Sequence, residues 1–142
     1  QHLTRFPDDR LRPLSYPDTN VFIVNFSVVN PSSFENVLSK WIPEIRHHAP
    51  EVPVVLCGTK IDLREDPEML KRLQEKDLQP ITREMGEALR DKIGAYAYCE
   101  CSARTQKGLK ETFNIVIECV LRPKNTKNDK QDKKKKQGCL LL

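Results

Sequence analysis

The sequence predicts an α/β domain: a parallel sheet with helices on both faces, followed by a disordered basic C-terminal tail. Three observations predict it. Runs at 21–28, 52–57 and 95–101 are short, nearly continuously apolar and rich in β-branched or aromatic residues, as strands buried on both faces are. Stretches with helical apolar spacing alternate with them, and strand–helix alternation builds a parallel sheet. After Pro123 the chain turns polar and lysine-rich, a composition that cannot bury a core. At 142 residues this is one domain with a tail.

Val21 to Val28 reads as the first strand. Asn30 is placed to cap the next helix, with Pro31 at its first position, where a missing N–H costs nothing. Phe34, Val37, Trp41 and Ile45 recur at helical spacing on one face, with Trp41 a core anchor. His47 and His48 are adjacent and point apart, a poor metal pair at a solvated helix end. Val52 to Cys57 is the second strand and runs into Gly58-Thr59-Lys60-Ile61-Asp62-Leu63. A charged, helix-favouring insertion follows at about 64–79, with Met69, Leu70 and Leu73 turned inward. Thr82 caps a further helix with Met85, Leu89 and Ile93 on one face and Gly94 as its stop. Ala95 to Cys101 is the third strand, followed by Ser102-Ala103-Arg104. Leu109, Phe113, Val116, Ile117 and Val120 mark the last amphipathic helix.

The net charge of +4 is uneven. From Arg122 onward eight Lys/Arg face two Asp, giving +6, so the rest of the chain carries −2. The basic character belongs to the tail and points to a membrane surface rather than to nucleic acid. No aromatic-studded basic face of the single-strand-binding kind is present. Cys57, Cys99, Cys101 and Cys119 fall in apolar stretches without a C-x-x-C pair, and read as buried free thiols in a reducing cytosol. The start of the chain has no signal-peptide pattern, and no stretch approaches a membrane span. Membrane contact is therefore expected through a lipid.

Cys139-Leu140-Leu141-Leu142 matches the prenylation signal, with a final Leu favouring geranylgeranyl. Lys133, Lys134, Lys135 and Lys136 lie just upstream, and a prenyl chain plus a polybasic patch is a two-signal membrane anchor. At about 1 kcal/mol each near an anionic leaflet, four lysines raise binding roughly a thousandfold at low screening. A solvated lysine tail and a chance cysteine are the plainer readings of each part alone.

In a parallel sheet, ligands sit beyond the C-terminal strand ends. Two motifs fall there. In Thr59-Lys60-x-Asp62 a carboxylate can accept both the N1–H and the exocyclic amine of guanine, a base-edge pair worth about 1–3 kcal/mol of discrimination. The lysine stem can lie along a purine face. A Lys and an Asp in an ordinary surface loop fit the same letters. The second motif, Glu100-Cys101-Ser102-Ala103, shifts the balance, because the Ala103 N–H is placed to donate to a purine carbonyl.

With these residues in view, the chain resembles the C-terminal portion of a Rho-family small GTPase of the Ras superfamily. The matching stretches are Asp9 to Asp18, Phe26-Ser27-Val28, Ser33 to Val37, Gly58 to Arg64, Glu100 to Ala103, Thr105 to Leu109 and the tail. The inserted helix after Leu63 is the Rho mark. The resemblance implies a remnant of the P-loop small-GTPase fold, divided into a non-family segment 1–8, a partial GTPase domain 9–121 and a polybasic, prenylated tail 122–142. It implies that Asp62 reads the guanine edge, Lys60 packs on the base, Thr59 braces the loop, and Ser102 with Ala103 closes over the base. Arg10, Leu11, Arg12, Leu14 and Tyr16 resemble the end of the second switch, a contact for regulators and effectors; a plain surface turn with Leu11 and Leu14 packed inward is the alternative.

Family members bind GTP or GDP with Mg2+, and place the phosphate loop, first switch and catalytic Gln upstream of the segment matched at Asp9. No G-x-x-x-x-G-K-[ST] occurs here, and Gly58, Gly86, Gly94, Gly108 and Gly138 cannot build one. Gln1 has the wrong surroundings to be the catalytic residue. The resemblance thus implies an N-terminally truncated or alternative product that keeps base recognition and lacks the phosphate half. At family level the expected function is a GTP-binding signalling switch that is prenylated at Cys139 and also methylated. It would act at the cytoplasmic face of the plasma membrane or endomembranes, with a cytosolic pool. Exchange factors, dissociation inhibitors and effectors of Rho proteins are the expected partners. The alternatives are a non-catalytic prenylated module or decoy for those regulators, and a chain that does not fold stably because its first strand lacks a neighbour.

Overall fold

A computed structural model of the chain describes residue 13 and residues 16–122 and 139–141. The expected α/β layering is present. The elements are β1 (Val21–Ser27), α1 (Pro31–Asn36), α2 (Ile42–His48), β2 (Val54–Thr59), α3 (Pro67–Gln74), α4 (Arg83–Ile93), β3 (Ala97–Glu100), α5 (Leu109–Leu121) and β4 (Cys139–Leu141). The strands form one sheet in the order β3-β2-β1-β4, parallel at every pairing.

Alternation along the strands splits the core in two. Phe22, Val24, Phe26, Val54, Leu56 and Tyr98 pack on one face with Val37, Ile42, Ile45, Leu89 and Ile93 from the helices. Val21, Ile23, Val55, Cys57, Cys99 and Cys101 pack on the other, against Val116 and Cys119 of α5.

The expected caps are in place. The Asn30 side chain accepts from the Ser33 N–H, and the Thr82 hydroxyl accepts from the Met85 N–H. Gly94 closes α4 in the left-handed region at φ 67°. The helix after Asn30 does not run through as one α-helix, because Val37–Trp41 forms a π turn. Pro43 explains the interruption: it has no N–H and its ring crowds the preceding turn.

Four other expectations change. In the insertion only Leu73 is buried, while Met69 is half-buried and Leu70 is exposed. Met85 is exposed, so the buried face of α4 is Gly86, Leu89 and Ile93. The buried face of α5 is Thr112, Val116 and Cys119, and it turns Phe113 and Ile117 outward. Residues 139–141 of the tail form a strand rather than disordered chain, with Val21, Phe22 and Ile23 opposite Cys139, Leu140 and Leu141. The outer edge of β1, expected to be bare, is therefore covered over those three residues.

Candidate functional site

β2 and β3 are neighbours in the sheet, so the loops after them leave side by side at the same end. The Thr59 hydroxyl donates to the Phe26 carbonyl at 3.0 Å, fixing the end of β2 to β1. Lys60 takes a left-handed backbone, φ 60° and ψ 36°, at a cost of about 1–2 kcal/mol for a residue with a Cβ. That turn starts a short 3-10 segment, Ile61–Leu63, whose Leu63 N–H donates to the Lys60 carbonyl at 3.0 Å.

From β3, the Cys101 N–H donates to the Gly58 carbonyl at 2.9 Å, and the Ile61 N–H donates to the Cys101 carbonyl at 3.4 Å. The Ser102 side chain is fully buried. Its hydroxyl donates to Asp62 Oδ1 at 2.6 Å and accepts from the Thr105 N–H at 3.1 Å. The two motifs, 40 residues apart in sequence, thus share one hydrogen bond. It orients the Asp62 carboxylate through a single oxygen. Lys60 and Ala103 are exposed beside it.

Arg64, Glu100 and Gly108 had no positioning role in the sequence reading, yet they hold these loops. The Arg64 guanidinium donates to the Ile81 carbonyl and forms an ion pair with Glu100, whose side chain is only 6% exposed. Tyr98 Oη donates to Glu100 at 2.7 Å, and Arg83 lies 3.5 Å away. Burial alone would raise the Glu100 carboxyl, but the hydrogen bonds from Arg64 and Tyr98 outweigh it and hold the group below its ordinary value. A carboxylate at the end of an apolar strand was the available signal; its partners are distant in sequence. Gly108 precedes α5 at φ 77°, where an added Cβ would lie 2.1 Å from the Glu100 carbonyl oxygen. Only glycine lets α5 start this close to β3.

An open cleft of about 720 Å³ touches Asp62 but is walled by Arg64, Arg83, Glu100, Thr105 and Ile115. It flanks the loops rather than lying between Lys60 and Ala103.

Of the other sequence-predicted residues, Tyr16 is buried, with its ring edge-on to Phe22 at 5.0 Å and its hydroxyl on Glu44. Buried in this way, the Tyr16 ring does not offer the partner contact expected of it. Arg10, Leu11, Arg12, Leu14 and Lys133 to Lys136 lie outside the described residues. Cys139 opens β4. No helix among the described residues is long and apolar enough to cross a membrane.

A parallel sheet with paired loops beyond the C-terminal ends of its strands is the arrangement at which open α/β domains bind ligands. A family model described as the Ras family matches residues 6–122, and the chain belongs to that family. It is a small GTPase by family, and members work as GTP-binding signalling switches with regulators and effectors. The match begins three residues ahead of the boundary read at Asp9.

Among the described residues, the Thr59–Asp62 and Ser102–Ala103 loops offer polar groups of the kind a base edge needs, and the helix start after β1 offers no phosphate cradle. A phosphate cradle needs free backbone N–H groups at a glycine-rich helix start. At the β1–α1 turn, Pro31 brings no N–H, and the Asn30 side chain and carbonyl both take the Ser33 N–H.

Proposed function

We propose that these residues form the base-reading half of a Rho-type GTP-binding switch that works at the cytoplasmic face of a membrane. The observation that carries it is the Ser102–Asp62 hydrogen bond, which holds a carboxylate at the junction of the two loops; in this reading guanine's N1–H and amine donate to it. In this reading Thr59 braces the loop, Lys60 covers the base, and Ala103 donates to the purine carbonyl. The Rho assignment is supported by the helical insertion that supplies α3 after Leu63. Membrane attachment is supported by Cys139 with Lys133 to Lys136, and contact with exchange factors, dissociation inhibitors and effectors by the resemblance of the Arg10 to Tyr16 sequence to the end of the second switch.

A second reading rests on these residues carrying no G-x-x-x-x-G-K-[ST]: a prenylated, non-catalytic module or decoy for Rho regulators. By themselves these 142 residues are then expected to hydrolyse no GTP.

Titration of the full chain with guanosine, xanthosine and adenosine nucleotides, followed by chemical-shift changes at Lys60, Asp62 and Ala103, tests the base site. Guanine is expected to bind best. Asp62→Asn exchanges an acceptor oxygen for a donor and should move the preference to xanthine by about fivefold or more. Equal response to guanine and adenine would overturn the assignment. For the anchor, residues 122–142 are fused to an inert reporter. Cys139→Ser should release it to the cytosol, and Lys→Gln at 133–136 should leave weak, salt-insensitive vesicle binding. A reporter that stays cytosolic with Cys139 intact would overturn that part.

A further inference from the structure

The buried face under α5 holds three thiols. Cys57 and Cys99 are register partners on β2 and β3, and Cys101 lies two residues past Cys99. Cys57 Sγ is 3.6 Å from Cys101 Sγ, and both side chains are buried. None of the three has a place in the base site, although Cys57 directly precedes the Gly58-Thr59-Lys60 loop and Cys101 directly precedes Ser102.

We propose that Cys57 and Cys101 are an oxidisable dithiol, closed to a disulfide by hydroperoxides, and that closing it disturbs the base-reading loops. The shared hydrogen bond divides their roles. The bond the two sulfurs share favours the Cys101 thiolate, lowering that thiol to about 7, and raises that of Cys57. Cys101 is then the attacking thiolate. It attacks one peroxide oxygen: an S–O bond forms, the O–O bond breaks, and the leaving oxyanion takes up the proton released by Cys101. Cys101 is now a sulfenic acid, oxidised by two electrons, and the hydroperoxide has become water or an alcohol. The Cys57 sulfur next attacks Cys101. The S–S bond forms, the S–O bond breaks, and the hydroxyl leaves as water with the Cys57 proton.

Geometry links this bond to the loops. Diagonal neighbours in a sheet lie roughly 7–8 Å apart at Cα, beyond the roughly 6.8 Å that a disulfide spans, so closing the bond requires the backbone to move. The sulfurs must also close from 3.6 Å to about 2.05 Å. Cys101 is therefore drawn toward β2. Its N–H and carbonyl are bonded to Gly58 and Ile61, and Ser102 follows it. The movement passes directly to the Ser102–Asp62 bond. This effect on guanine rests on the base-site reading above; the dithiol itself does not.

The test oxidises the full reduced chain with hydrogen peroxide, alkylates the remaining thiols and maps the peptides by mass. Free thiols are expected to fall from five to three, with one Cys57–Cys101 crosslink that dithiothreitol reverses. Cys57→Val should abolish the crosslink and leave a Cys101 sulfenic acid that dimedone traps. Cys119→Ser should change nothing. A crosslink through Cys99, an intermolecular bond through Cys139, or five thiols surviving would overturn the dithiol. Because the wild-type map decides this, the conclusion does not depend on the variants folding. Guanosine binding before and after oxidation reads the coupling, expected as a loss of about fivefold or more. An unchanged affinity in crosslinked protein would overturn the coupling alone. Absent guanine binding in reduced protein would instead remove the base reading.

Discussion

On one face of the sheet Phe22, Phe26 and Tyr98 meet side chains from α1, α2 and α4; on the other, among the described residues, Val21, Ile23 and three cysteines meet α5 alone. The first face is aromatic and closed. Phe26 lies edge-on to Phe34 at 5.0 Å and stacks on Tyr98 at 6.1 Å. The second is built of small side chains, and α5 leaves Phe113, Ile117 and Leu121 at 61%, 54% and 68% exposure. These three recur every four residues, so they form one apolar stripe along the outside of the helix. Most of the stabilising burial thus sits on one face, while the thiol chemistry sits on the other.

The largest expected effect tests that division directly. Phe26→Ala removes a buried ring from the closed face and should cost about 3–5 kcal/mol. Phe113→Ala, on the exposed stripe, should stay within about 0.5 kcal/mol. Urea midpoints of the two variants measure both, and equal shifts would break the comparison.

Next in size is Glu100→Gln, which weakens the bridge from β3 to Arg64 by about 2 kcal/mol at neutral pH. The folded carboxyl lies below its ordinary 4.5. Its stabilisation is therefore full above that pH and is lost as pH falls through the lower folded value. Acid titration of stability should be steeper in the wild type than in Glu100→Gln. Parallel curves would mean that the ion pair contributes nothing.

Much of this was legible beforehand. Asn30, Thr82 and Gly94 announce their caps by residue type alone. The T-K-x-D and C-S-A motifs meet because parallel strands deliver their following loops to one end. The orientation of α5 was not legible: Leu109, Phe113, Val116, Ile117 and Val120 look like one face, but the helix buries Thr112, Val116 and Cys119. Thr112 can be buried because its hydroxyl donates back to the Gly108 carbonyl at 2.8 Å. The Arg64–Glu100 bridge joins residues 36 apart and leaves no local pattern. Cys139 to Leu141 carry the letters of a lipidation signal, and only the exposed edge of β1 makes them a strand.

The smallest expected effect concerns that edge. The Phe22 N–H is taken by the Pro53 carbonyl, so the Val21 and Ile23 amides face β4. Deleting residues 139–142 should speed exchange at those two amides by about tenfold, roughly the worth of one hydrogen bond, and leave Phe22 protected. Unchanged exchange would mean that the edge is not covered in solution.

The β1–β4 pairing also has a place in time. Val21 and Cys139 are 118 residues apart in sequence, and the two strands share only three residue pairs. Loop closure over that span must be complete before three pairs can repay it, so β4 is the last strand to join and the first to leave. Its departure opens a small local unit while both cores stay folded. In the proposed lipidation, an enzyme acting on the Cys139 segment would wait for a local opening rather than for unfolding, and its rate would be limited by how often that strand lifts.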